Sequence, residues 1–122
     1  MLKWKSLPLI AVLATSLLAA APAAAHAYPE QGTPGAGAVL EQAPTTVSIR
    51  FDSELEPLFS RLIVKNARNQ QVSQGNGSVD PSNGRILSTS LTDAAKGSYH
   101  VYWSVVSRDG HRTEGDYTFT VR

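Results

Sequence analysis

The chain contains no cysteine, which excludes disulfide bridges, thiolate metal sites and a lipidated N-terminal cysteine. Its single methionine is Met1, so a chain trimmed at its N-terminus would offer no thioether to a soft metal. Charge of one sign is also scarce, with eleven Lys and Arg against ten Asp and Glu. Without a basic field there is no electrostatic footprint for nucleic acid or anionic lipid. After residue 25 no apolar run approaches the roughly 20 residues that a membrane helix needs. Nor does any later segment carry the 3.6-residue period of an amphipathic helix.

What is present begins with a processing signal. Lys3 and Lys5 form a short basic region, Leu7 to Ala21 an apolar one, and Ala21-Pro22-Ala23-Ala24-Ala25 a small-residue cleavage region. Two cuts satisfy the small-residue rule, one before His26 and one before Tyr28. The first divides the chain into a signal peptide, 1–25, and a single domain, 26–122. Cutting 25 residues from 122 leaves 97, and losing Lys3 and Lys5 takes the formal charge to −1. A domain of that size buries one modest core and has little room for an enclosed active site. The processed protein is expected to be exported, without a membrane span, and monomeric.

From residue 27 to residue 38 five Gly and Pro residues imply an irregular arm with a short edge pairing. Val47 to Phe51 alternates apolar and polar residues as a half-buried strand does, and Asp52 to Pro57 reads as a polar loop. Arg61 to Lys65, Gln71 to Ser73 and Arg85 to Leu91 read as further strands, with turns filling the rest of 69–84. The two most regular pieces are Tyr99 to Val106 and Asp116 to Val121. Tyr99, Val101, Trp103 and Val105 share one face, as do Tyr117, Phe119 and Val121, and those faces should be core. The expectation is an all-β fold: an immunoglobulin-like antiparallel β-sandwich with Greek-key connections, about seven strands in all, and Trp103 buried between the sheets.

Chemistry concentrates at the two ends of this domain. Asp109-Gly110-His111 offers a carboxylate oxygen and an imidazole nitrogen a residue apart, at what is first of all a turn. A cut before His26 exposes an α-amine beside an imidazole Nδ1, and those two atoms chelate one ion in a six-membered ring. With His111 the set holds three nitrogens and with Asp109 an oxygen. Roughly planar nitrogen-rich sets suit Cu(II) by geometry and by the Irving–Williams order, with Zn(II) the tetrahedral competitor. The amine must lose its proton to bind, so affinity should fall as the solution is acidified. His100 alternates with core residues and is assigned to solvent. Asp52, Glu54 and Glu56 read as a solvated loop rather than an accessory metal patch, and Arg108 and Arg112 as either donors to Asp109 or solubilising charges.

These residues resemble those of the CopC-like family of bacterial periplasmic copper-resistance proteins. The likeness runs through His26-Ala27, Thr33-Pro34, Gly37-Ala38-Val39-Leu40, Ala43-Pro44, Ile49-Arg50-Phe51, Phe59-Ser60, Gly97-Ser98-Tyr99, Val101-Tyr102-Trp103, Val105 to His111, Gly115 and Phe119-Thr120-Val121. The resemblance implies a periplasmic β-sandwich that holds one Cu(II) per chain through the His26 amine and imidazole, His111, and Asp109 as ligand or close anionic partner. It implies a buffer or chaperone in copper resistance, with a membrane copper importer or another periplasmic copper protein as partner. The family's second, Met-rich Cu(I) site has no counterpart here. A Glu that some members carry after the first core strand is also missing: Ser53 stands near that place, flanked by Asp52 and Glu54.

Two other readings stand beside this non-enzymatic one. Copper-dependent polysaccharide monooxygenases use a similar N-terminal His chelate, but this domain is short, shows no aromatic row for a glycan, and would place a carboxylate where oxygen must bind. A metal-free structural sandwich follows if cleavage falls before Tyr28.

Overall fold

The computed structural model describes residues 26–93 and 95–122, so the expected signal peptide lies outside the described residues. The chain forms eight strands: β1 (Pro29–Thr33), β2 (Val39–Leu40), β3 (Thr46–Phe51), β4 (Arg61–Asn66), β5 (Ser78–Asp80), β6 (Asn83–Ser90), β7 (Gly97–Val106) and β8 (Arg112–Val121), with one 3-10 turn at Pro57–Phe59. They assemble into two four-stranded sheets of order β1-β3-β6-β5 and β2-β8-β7-β4. All pairs are antiparallel except β2 with β8.

The period-two segments bury the side they were expected to bury. Val47, Ile49 and Phe51 of β3 face Leu62 and Val64 of β4, Tyr99, Val101 and Val105 of β7, and Phe119 and Val121 of β8 across one continuous core. Each fully buried Val, Leu, Ile or Phe contributes about 1.5–3 kcal/mol relative to exposure. Tyr99 and Phe119 are paired across β7 and β8, and their rings stack 5.1 Å apart. A cross-strand aromatic pair of this kind pins the register.

One local expectation is met and two are revised. The short edge pairing expected of the N-terminal arm is present and extends over all of β1, which pairs with β3 from Pro29 to Thr33. Gln71 to Ser73 is reduced to two isolated bridges, with Lys65 and Leu91, while β5 forms at Ser78–Asp80, where turns were expected. Trp103 is half-buried rather than sealed between the sheets. It packs edge-on to Phe51 at 5.4 Å and lies over Gly115, its partner on β8. A Cβ at position 115 would stand 2.3 Å from Trp103 Cζ2, so the indole occupies the space that a side chain there would take.

β7 and β8, ten residues each, form the longest hairpin, with Val106 opposite Arg112. Their connection, residues 107–111, therefore projects from one end of the sandwich, where loops commonly carry binding groups.

Candidate metal centre

The loop is organised by one buried serine. Ser107 is 1% exposed, its backbone N–H donates to His111 O at 3.0 Å, and its carbonyl accepts from Gly110 N at 2.9 Å. Gly110 has φ +88°, a left-handed conformation that glycine adopts without a Cβ clash. The Ser107 hydroxyl donates to Asp109 Oδ1 and reaches His111 O at 3.3 Å. The same Oδ1 accepts the His111 backbone N–H at 3.1 Å, and Oδ2 lies 2.8 Å from His111 Nδ1. The Ser107 hydroxyl, then the His111 ring and backbone N–H, hold the Asp109 carboxyl well below the usual carboxylate range. Asp109 is thus a fixed anion that also aims the His111 ring, the arrangement by which carboxylates orient metal-binding imidazoles.

The N-terminal arm brings its residues to the same end. Ala27 is wholly buried in the core, and its carbonyl accepts the Thr113 hydroxyl at 2.6 Å. Tyr28 N donates to Asp52 Oδ1 at 2.8 Å, and Asp52 N returns a bond to Tyr28 O at 2.9 Å. His26, one residue before these anchors, stacks on His111 with ring centroids 4.6 Å apart and planes 14° from parallel.

As a result, one donor atom each from His26, Asp109 and His111 lies within 4.8 Å of the others, the one such group of three or more among the described residues. Two nitrogens on opposite sides of one ion, each about 2 Å from it, stand at most about 4 Å apart. One donor atom from each side chain thus lies near the spread that a single ion spans, and two imidazoles with a carboxylate form a donor set that fits Cu(II) or Zn(II).

The remaining side chains divide clearly. Arg108 pairs with Glu54 at 3.1 Å, and Arg112 binds Ser104 Oγ at 2.6 Å and Phe59 O at 3.4 Å, so the arginines are engaged away from the Asp109 carboxylate. Asp52 serves the arm. His100 faces outward as expected, but it is paired: it stacks on Tyr102 and its Nε2 meets Asp116 Oδ2 at 2.5 Å. Sequence reasoning missed Ser107, Thr113 and Asp52 as supports of the site. The one signal that pointed to any of them was the serine two residues before Asp109, in a position to close a short turn.

A family model described as CopC domain matches residues 30–122. Protein YobA of Escherichia coli K12 is 33% identical over 114 residues, covering 93% of this chain and 91% of that protein. Copper transport protein CutJ of Bacillus subtilis is 31% identical over 98 residues, 80% of this chain but 18% of that longer protein. Among solved structures, CopC from Methylosinus trichosporium OB3b matches with a TM-score of 0.70 at 30% identity, covering 79% of this chain and 93% of that one. PcoC from Escherichia coli, a methionine-rich copper resistance protein, matches with a TM-score of 0.66 at 25% identity over 80% of this chain and 100% of that one.

Proposed function

The chain belongs to the CopC family, and from that membership we propose that it is an exported copper-binding protein holding one Cu(II) at the His26, Asp109 and His111 cluster. The observation that carries this reading is the convergence of those three side chains within 4.8 Å, across 83 residues of sequence from His26 to Asp109. In the proposed form, cleavage after Ala25 in the periplasm frees the His26 amine, which joins the ring Nδ1 as a bidentate chelate. His111 supplies the third nitrogen. Asp109, already bonded to His111 Nδ1, is the ligand or the close anionic partner that offsets the ion's charge. The uncleaved chain has no free amine at residue 26, so the complete donor set arises only on processing.

The role follows from the chemistry available. A cluster of one part-buried and two exposed residues leaves an ion accessible, which suits its capture and hand-over. We therefore assign buffering of Cu(II), or its delivery to a membrane copper importer or another periplasmic copper protein. Cu(II) spin resonance of protein purified from the exported fraction tests the assignment. Three coordinated nitrogens are expected, and a spectrum with none, or with only the two of the terminal chelate, overturns it.

A further inference from the structure

The arm that carries His26 is held by residues other than the three proposed ligands, through the buried Ala27 and through backbone bonds on either flank. Ala27 is buried to 0% exposure, so its methyl is part of the core. Its carbonyl accepts the Thr113 hydroxyl at 2.6 Å from the second residue of β8, just beyond the 107–111 loop. On the other flank, Asp52 grips Tyr28 at both backbone atoms, at 2.8 and 2.9 Å. Residue 26 is thus one peptide away from a backbone fixed on two sides. A free terminus would sample many orientations, and the affinity of a site formed in only a fraction of molecules is lowered by that fraction.

We infer that Thr113 and Asp52 are positioning residues of the copper site, docking the N-terminal arm in the metal-free protein so that the His26 chelate is preorganised against His111. The inference rests on the Cu(II) reading for its consequence, whereas the docking bonds are made by Ala27, Tyr28, Asp52 and Thr113, none of them a proposed ligand. Thr113 touches none of the three proposed ligands' side chains through this bond; it acts through the Ala27 carbonyl, which immediately follows His26. Valine at 113 keeps the shape of the side chain and removes the donor, whereas serine keeps the donor.

The test uses protein from the exported fraction carrying Thr113→Val, Thr113→Ser or Asp52→Ala, the last at an exposed position away from the core. Amide hydrogen exchange is read on metal-free protein, and Cu(II) affinity by competition with a chelator of known strength. Thr113→Val and Asp52→Ala are expected to speed Tyr28 exchange and to weaken Cu(II) binding by about tenfold, roughly what one hydrogen bond contributes to a population ratio. Core amides at Val101 and Phe119 should keep their protection, and Thr113→Ser should restore both readouts. Unchanged Tyr28 exchange in both variants overturns the docking, and faster exchange with undiminished Cu(II) affinity overturns the positioning role. If the parent protein takes up no Cu(II), the copper reading falls, while the exchange data still decide whether the arm is docked.

Discussion

The imidazole rings of His26 and His111 lie 4.6 Å apart and 14° from parallel, although 85 residues separate them in the chain. Their contact is made by an exposed His111 whose ring takes no part in the core. Replacing it by alanine should weaken Cu(II) binding by about a hundredfold or more, beyond what loss of a supporting residue costs, and leave thermal unfolding of the metal-free protein within a few degrees of the parent. Chelator competition and calorimetry check both halves.

Placing one extra alanine before His26 in the processed protein keeps every side chain and moves the amine. The six-membered chelate is then lost, and spin resonance should show a changed nitrogen set together with a weaker, less pH-dependent affinity. A titration indistinguishable from the parent would contradict the terminal chelate.

Asp109 gives a pH prediction for the metal-free protein. Its folded pKa lies below the ordinary aspartate value of 3.8, chiefly through the Ser107 hydroxyl. A depressed carboxyl contributes stability that is present above pH 3.8 and is lost as the pH falls below it through the lowered folded value. Ser107→Ala removes the leading donor, so the Asp109 carboxyl titration, followed by carbon NMR, should move up toward 3.8. A titration that does not move would show that the serine is not what holds the anion.

How much of this was legible in the sequence depends on what kind of signal each residue carries. His26, Asp109 and His111 are uncommon donor types at a processing boundary and a turn, so their chemistry announces itself without a structure. The alternation over Val47 to Phe51, Tyr99 to Val105 and Asp116 to Val121 was equally readable, because burial of one face imposes a period of two, but β8 begins four residues before Asp116, at Arg112. Thr113 and Asp52 were not: threonine and aspartate are ordinary surface residues, and their partners Ala27 and Tyr28 lie 86 and 24 positions away. β5 escaped because Val79 is its one apolar residue, leaving the turn-forming neighbours to dominate the pattern. Trp103 was expected to be fully buried because nothing in a linear pattern says that a glycine will stand opposite it.

That pairing is itself testable. Gly115→Ala places a Cβ 2.3 Å from Trp103 Cζ2, so the indole must move or the strands must part. The cost of overpacking is about 1–3 kcal/mol, and the change should appear as a lower unfolding midpoint and a shifted Trp103 emission, Trp103 being the sole tryptophan after residue 25. Unaltered stability and emission would show that the ring is not confined there.

Cu(I) offers a contrast with the methionine-rich PcoC. With Met1 as the chain's only methionine and no cysteine, the processed protein should retain Cu(I) poorly under reducing conditions. Submicromolar retention by equilibrium dialysis would be a failure of the nitrogen and oxygen ligand set.

β8 starts beside the metal loop at Arg112 and ends at Val121, and ten residues at about 3.4 Å each carry the chain roughly 30 Å along the sandwich. Anything grafted onto Arg122 therefore hangs from the opposite pole. A surface anchor or a fused reporter attached there leaves the pole that carries His26 and His111 facing open solution, so the molecule can be tethered by its tail with the proposed ion site unobstructed.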